Sequence, residues 1–284
     1  MIEILFNGNK VKTKSKNLLD FREDFVKKNK DLKSKNFKGD YVLILNGFQV
    51  EDNVETKDLI LTNGDTVNFI KKGEMPKKEE FESMISARHS PGVYEKLKKS
   101  KVAIAGLGGL GSNISIILSR IGVGKLLLVD FDIVEPSNLN RQQYLIKDLG
   151  TYKTDALKDT ISQINPFIEV ITKTTKVNED NVKELFEDYD IVCEAFDKAD
   201  QKSMLINSLL NELPNIKIVS GSGMAGYESS NLIKTTQLMK NLYLCGDYES
   251  EAKFFNGLMA PRVTVCAAHQ ANMVLRLLLN IKEP

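Results

Sequence analysis

Four glycines, two aspartates, an arginine and a lysine carry most of the chemistry legible in this chain. A short apolar run at 102–105 enters Gly106-x-Gly108-Gly109-x-Gly111 and leaves as an apolar helical pattern. Strand, glycine turn and helix N-terminus in that order make a cradle for phosphate, because backbone N–H groups reach an anion only where no side chain intervenes. By itself the turn suits a dinucleotide or a mononucleotide. Asp130 follows Gly106 by 24 residues, at the end of a second apolar run. A carboxylate there can accept the hydroxyls of a ribose whose phosphates lie on the turn. That spacing fits NAD and ATP equally.

Arg141 comes eleven residues after Asp130, in SNLNRQ, and Lys153 opens the next helical pattern. The pyrophosphate of a nicotinamide dinucleotide is already served by backbone amides. A triphosphate carries additional charge, and cations aimed at its β- and γ-phosphates make pyrophosphate a better leaving group. Asp197, just past the stretch DIVCEAF, falls at the carboxyl edge of the expected sheet, where a Mg2+ ligand belongs. Each residue also has a plain structural role open to it. Arg141 can serve as an ion-pair partner, Lys153 as a solvated first-turn residue and Asp197 as a helix N-cap. Nothing resembles the acid or base of a hydride transfer, which argues against an oxidoreductase; a non-catalytic nucleotide-binding scaffold stays open.

The elements that must position these groups follow from the hydrophobic pattern. Strands are expected at 101–106, 125–130, 168–172, 189–195 and 216–220, and helices at 112–121, 151–164, 178–187 and 199–212. The apolar runs are continuous rather than alternating, as in a sheet covered on both faces. The fold class is therefore α/β, a Rossmann-like doubly wound, mostly parallel sheet. An added antiparallel strand is expected at 232–238, an irregular polar loop at 240–256 and a closing apolar helix at 263–281. Residues 1–72 read differently. Short strands flank Asn7-Gly8 and Asn46-Gly47, both hairpin signals, with an amphipathic helix at 17–29 between them and a last strand at 65–70. The order β-β-α-β-β predicts a small β-grasp, ubiquitin-like domain, with a lysine-rich segment at 10–38 read as a solvated face. The charged segment 73–84, with Gly73 and Pro76, is expected to link it to a second domain at 85–284.

Composition bounds the remainder. The 284 residues are 42% hydrophobic with a formal net charge of +1, enough for a full core and without a field pointing to nucleic acid or membrane. No apolar run approaches the roughly 20 residues of a membrane span, and MIEILFNGNK predicts no signal peptide. Cys193, Cys245 and Cys266 are an odd number without a CxxC pair, which predicts a reducing, cytoplasmic setting.

GLGGLGS at 106–112, DFD-x-VE-x-SNL-x-RQ at 130–142, INP at 164–166 and GLMAPRV at 257–263 together resemble the ThiF/MoeB/HesA adenylyltransferases, relatives of the ubiquitin-activating enzymes. The resemblance covers about 85–281, and the second motif is highly specific. It implies ATP-dependent adenylation of the C-terminal glycine of a small β-grasp sulfur-carrier protein ending in Gly-Gly, with release of pyrophosphate. It also implies ATP and Mg2+ as cofactors and a homodimer, with neither membrane nor nucleic acid as partner. By motif, Gly106, Gly108, Gly109, Gly111, Asp130, Asp132 and Asn138 would hold the nucleotide, Arg141 and Lys153 its phosphates, and Asp197 the magnesium. Arg88, in SARHS, is the candidate for the family's arginine that reaches the partner subunit's site. Many relatives hold a structural zinc with two CxxC pairs; none occurs here, so no zinc is expected. Cys245 is the candidate reactive thiol, because Cys193 and Cys266 read as core.

The first 72 residues resemble a ThiS-type carrier, but the last strand runs on as Lys71-Lys72-Gly73-Glu74. Without a terminal carboxylate such a unit cannot be adenylated, which favours a structural or docking role. This layout is most similar to the second ThiF subfamily of thiamin biosynthesis and makes a separate ThiS-type protein the first choice of carrier. A MoaD-type carrier or a tRNA base is the alternative substrate within the superfamily.

Overall fold

A computed structural model describes residues 1–29, 40–51 and 53–284. It divides into two compact units, Met1–Tyr94 and Glu95–Pro284. The portion of the lysine-rich segment from 30 to 38 lies outside the described residues.

In the first unit, β1 (Ile2–Phe6) and β2 (Asn9–Thr13) form a hairpin, followed by α1 (Leu18–Lys28), β3 (Tyr41–Leu45), β4 (Phe48–Gln49) and β5 (Thr66–Lys71). The mixed sheet has the order β2-β1-β5-β3-β4, with β1 and β5 parallel. Asn7 and Asn46 both adopt positive φ ahead of glycines, which gives the tight turns a two-residue hairpin requires. Asn17 caps α1 by accepting from the Asp20 N–H. Leu18 and Phe21 of this helix pack on Ile4, Leu43, Val67 and Phe69 of the sheet. The sequence predicts a helical lead-in from Phe81 to Leu97, interrupted at 90–92, and the structure has a helix there, α2 (Lys78–Ser86), which starts three residues earlier, inside the segment read as a linker. It is tied to the sheet of its own unit by Asn7 Nδ2 donating to Glu80 Oε1 at 3.2 Å and Asn68 Nδ2 donating to Ser83 Oγ at 2.8 Å. The charged run KKEE hides the start of the helix, none of whose residues is buried. A five-residue helix, α3 (Val93–Leu97), spans the division between the units.

The second unit alternates strand and helix: β6 (Lys101–Ala105), α4 (Gly109–Arg120), β7 (Lys125–Asp130), α5 (Lys153–Ile164), β8 (Glu169–Thr174), α6 (Val182–Phe186), β9 (Ile191–Glu194), α7 (Ala199–Glu212) and β10 (Lys217–Gly221). There follow β11 (Lys234–Met239), β12 (Leu242–Gly246) and α8 (Ala260–Leu278). The seven-stranded sheet has the order β11-β12-β10-β9-β6-β7-β8 and is parallel except for β11 against β12. After β6 the chain winds outward through β7 and β8. It then returns to the other side of β6 through β9 and β10. The crevice at that reversal, outside the carboxyl ends of β6, β7 and β9, is where such sheets bind ligands.

The interior strands are buried on both faces, as their unbroken apolar runs require. Helix α4 is buried nearly all round and packs against α8. Its Ser115 and Ser119 hydroxyls bond back to the Gly111 and Ile116 carbonyls at 2.7 and 2.8 Å, so these buried polar groups are satisfied within the helix. Several helix boundaries differ from expectation. Helix α4 begins at Gly109 rather than 112, so part of the glycine turn is its first turn; α5 begins at Lys153, α6 is only five residues, and α8 starts at Ala260. The segment expected as an irregular loop at 240–256 contains β12, a buried strand parallel to β10.

Candidate nucleotide site

The glycine turn leaves β6 between two walls. Gly106 has φ +88°, and a Cβ there would lie 2.8 Å from Phe196 Cδ1 and 2.9 Å from the Ala195 carbonyl oxygen. A Cβ on Gly111 would sit 1.8 Å from the Gly106 carbonyl oxygen, so only glycine lets the helix close on the turn. Around Gly108 the space is open, with Gln142 Nε2 at 3.9 Å from where a Cβ would stand. The N–H groups of the first turn of α4 have no acceptor within the helix, as at any helix start, and face an anion with the positive end of the helix dipole.

Asp130, the last residue of β7, is buried and fixes this turn. Its Oδ2 accepts from the Leu107 N–H at 2.6 Å and its Oδ1 from the Asp132 N–H at 2.8 Å. Tyr144 completes the clamp, its hydroxyl donating to the Leu107 carbonyl at 2.8 Å. Burial pushes the Asp130 carboxyl above its ordinary value, against the two N–H groups and the nearby Lys153. Each carboxylate oxygen keeps a second acceptor position, so Asp130 can anchor the turn and accept a hydroxyl as well.

Lys153 begins α5, and its backbone N–H donates to the Asp132 carbonyl at 3.0 Å. The ammonium is 2.9 Å from Asp132 Oδ2, and Lys153 is only 6% exposed. A solvated first-turn lysine is thereby excluded. Arg141 is half-buried, with Nη1 donating to the Ser137 carbonyl at 3.2 Å and to Asn140 Oδ1 at 2.8 Å. Its Nε is buried without an acceptor. Its aliphatic stem lies 3.6 Å from where a Cβ of Gly109 would stand. Asn138 is buried, its Oδ1 accepting from the Glu135 N–H at 3.1 Å. Asn140 Nδ2 donates to the Leu258 carbonyl at 3.0 Å, which joins the SNLNRQ segment to GLMAPRV. Val263, at the end of that motif, is 2.9 Å from the same absent Cβ of Gly109.

Asp197 is exposed, three residues past the end of β9, and Lys198 holds the N-cap position of α7, so capping is not the role of Asp197. Arg88 belongs to the first unit, where Nη2 donates to Gln49 Oε1 at 2.6 Å. The second unit thus brings together the turn, Asp130, Asp132, Asn138, Arg141 and Lys153, and Arg88 belongs to the first unit. An orphaned Arg141 N–H, a buried lysine and a cradle without side chains suit a polyphosphate. Among the described residues no three His, Cys, Asp or Glu side chains converge on a metal. Asp197, an exposed carboxylate, is the residue that would hold a Mg2+.

Cys245 requires correction. It lies in β12, fully buried, not in a polar loop. Burial pushes its thiol up to about 11 despite the Thr235 hydroxyl 3.5 Å away, and burial likewise raises Cys193 and Cys266. A nucleophilic cysteine needs an accessible thiolate. Cys245→Ser is therefore expected to leave any adenylation rate within about twofold of the parent, read by pyrophosphate exchange; a loss beyond about tenfold would restore a covalent role.

Two groups escaped the sequence reading. Tyr144 had no motif to mark it. Glu194, the residue before Ala-Phe-Asp197, showed a signal in retrospect: a lone acid at the end of a fully apolar strand.

Fold and site define a Rossmann-type domain whose glycine turn, buried lysine and half-buried arginine suit a polyphosphate. The ThiF family model matches residues 82–284, and the chain belongs to that family. It is 32% identical over 200 residues to the "Adenylyltransferase and sulfurtransferase MOCS3" of Dictyostelium discoideum, covering 66% of this chain and 45% of that protein. It is 41% identical over 112 residues to the "Molybdopterin-synthase adenylyltransferase" of Haemophilus influenzae, covering 39% and 46%. The chain therefore spans less than half the length of either relative. Among solved structures, the tRNA N6-threonylcarbamoyladenosine dehydratase TcdA of E. coli in complex with ATP superposes with a TM-score of 0.65 at 21% identity, over 73% of this chain and 97% of that one. That likeness concerns the fold.

Proposed function

We propose that the chain is an ATP-dependent adenylyltransferase that activates the C-terminal glycine carboxylate of a small sulfur-carrier protein, giving the carrier acyl-adenylate and pyrophosphate. The observation that carries this reading is the pairing of a buried Lys153 ammonium with an Arg141 guanidinium whose Nε lacks an acceptor, beside the open first turn of α4. A dinucleotide site has no use for both cations. The relatives named for adenylating activity support the same chemistry.

The reaction is a displacement at the α-phosphorus. The attacking carboxylate is ionised at neutral pH, so no general base is needed. Catalysis consists of alignment and of neutralising charge on the phosphates. Asp130 accepts ribose hydroxyls beside the turn it anchors, Asn138 lines the same side, and Asp132 hands Lys153 to the phosphates. Asp197 would hold Mg2+, which when bound would neutralise charge on the triphosphate. Arg88 acts in the site of a partner copy. A homodimer is supported by a run of exposed apolar side chains next to the site: Phe131, Ile133, Leu145, Ile146 and Tyr152.

The first unit is a ThiS-like β-grasp module that guides docking rather than a substrate, because β5 continues into α2 and offers no terminal carboxylate. A separate ThiS-type carrier, serving thiazole formation in thiamin biosynthesis in the cytoplasm, is the preferred substrate. The test is exchange of labelled pyrophosphate into ATP with ThiS-type and MoaD-type Gly-Gly carriers side by side. Exchange with the ThiS-type carrier alone is expected. Exchange with the MoaD-type carrier alone would move the assignment to molybdopterin, and ATP binding without exchange would move it to tRNA or to a scaffold.

A further inference from the structure

Glu194 ends β9 with no exposure to solvent, and the nucleotide assignments above leave it without a task. Three groups donate to its carboxylate: the Phe196 N–H at 2.7 Å, the Ser220 hydroxyl at 2.5 Å, and the Lys202 ammonium at 3.1 and 2.8 Å from the two oxygens. A carboxylate taken wholly out of water is costly, and an apolar side chain would fill the same place without that cost. What the group achieves is local. Phe196 is the middle residue of the turn that carries the chain from β9 to Asp197. Gly106 backs the same turn, since a Cβ there would collide with Phe196 and with the Ala195 carbonyl. The Ala195 N–H donates to the Ala105 carbonyl at 2.9 Å. Residues 195 and 196 are thus held between the phosphate turn and the Glu194 carboxylate, and Asp197, the next residue, is exposed. Lys202, on the first turn of α7, ties the start of that helix to the same point, and Gln270 Nε2 donates to the Glu194 carbonyl at 3.3 Å from α8.

We propose that Glu194 is a positioning residue: with Lys202 and Ser220 it sets the direction in which Asp197 leaves β9, and so the affinity of that carboxylate for a divalent cation beside the triphosphate. This rests on the reading of Asp197 as the Mg2+ ligand, and the test separates the two. ATP binding to the full chain is followed by calorimetry while Mg2+ is titrated, and bound Mn2+ is counted by electron paramagnetic resonance. Asp197→Asn is expected to raise the cation concentration needed for half-saturation. Glu194→Gln is expected to raise it about tenfold, with ATP affinity in chelator unchanged. A Glu194→Gln protein with lowered Tm but the parent's cation requirement, while Asp197→Asn shifts it, would make Glu194 a packing residue and overturn the proposal. An unshifted Asp197→Asn would overturn the metal reading itself, and the positioning role with it. Should Glu194→Gln fail to fold, Ser220→Ala removes one donor and keeps the ion pair. A raised cation requirement in that variant supports the proposal, and an unchanged one overturns it.

Discussion

Lys153→Ala is expected to lower carrier-dependent pyrophosphate exchange by about 10²- to 10³-fold, the usual consequence of deleting a preorganised charge from a water-excluded site. The ammonium is almost fully buried and held 2.9 Å from Asp132, so it is oriented before any nucleotide arrives. A surface lysine would have to be ordered during the reaction and would contribute less. Most of the loss should appear in kcat, because charge on the bridging oxygen grows as pyrophosphate departs. The variant also frees Asp132, placing an uncompensated carboxylate near the phosphates, and this adds a loss of ATP affinity. Lys153→Arg should recover only part of the rate, since a planar guanidinium does not occupy the place of a compact ammonium. Retention of more than about a tenth of the parent rate in Lys153→Ala would remove Lys153 from the phosphate assignment.

Arg262→Ala is expected to destabilise the chain by about 3–5 kcal/mol, the range seen when one partner of a buried ion pair is removed. Arg262, in the first turn of α8, is buried and pairs with Glu228 at 2.8 Å and with Asp247 at 2.5 Å. It joins the segments before β11 and after β12 to the helix that packs on α4. Without it Asp247, its side chain only 7% exposed, keeps its charge and loses its ion-pair partner. Burial pushes the Asp247 carboxyl up, but the Ser250 hydroxyl and N–H, the Glu249 N–H and Arg262 together bring it down to about 2. A depressed carboxyl stabilises the fold fully above its unfolded value near 4, and that contribution is lost as pH falls through about 2. Urea unfolding of parent and variant at pH 7 measures the first effect. The same comparison from pH 5 to pH 2 should show the gap narrowing, and a loss below about 1 kcal/mol at pH 7 would mean that the cluster is compensated by water.

How much of this was legible beforehand depends on what kind of signal a residue leaves. Gly106, Asp130, Arg141 and Lys153 lie at fixed steps along consecutive strands and helices. A parallel sheet carries such steps to one edge, so their convergence in the structure follows from the pattern. Strand β12 was hidden because its five residues, LYLCG, end in Gly246, lie between Asn241 and Asp247, and look like a turn. Only pairing with β10 buries them. The same error made Cys245 look accessible. Only the first turn of α2 was hidden, by the opposite cause: its charged residues Lys78–Glu80 cannot be separated from a linker by periodicity, whereas the helical stretch from Phe81 was legible. Glu194 and Tyr144 act on groups of residues far away in sequence, Tyr144 on the Leu107 carbonyl and Glu194 on the Ser220 hydroxyl, and no local pattern encodes such partners.

The central claim is that ATP is spent on a carrier's terminal carboxylate. Intact-mass analysis of a ThiS-type carrier, after incubation with the full chain, ATP and Mg2+, tests it most directly. The account predicts a carrier species heavier by one adenylate, absent when the carrier lacks its terminal glycine or when Lys153 is alanine. An unmodified carrier under conditions where the chain demonstrably binds ATP would contradict it.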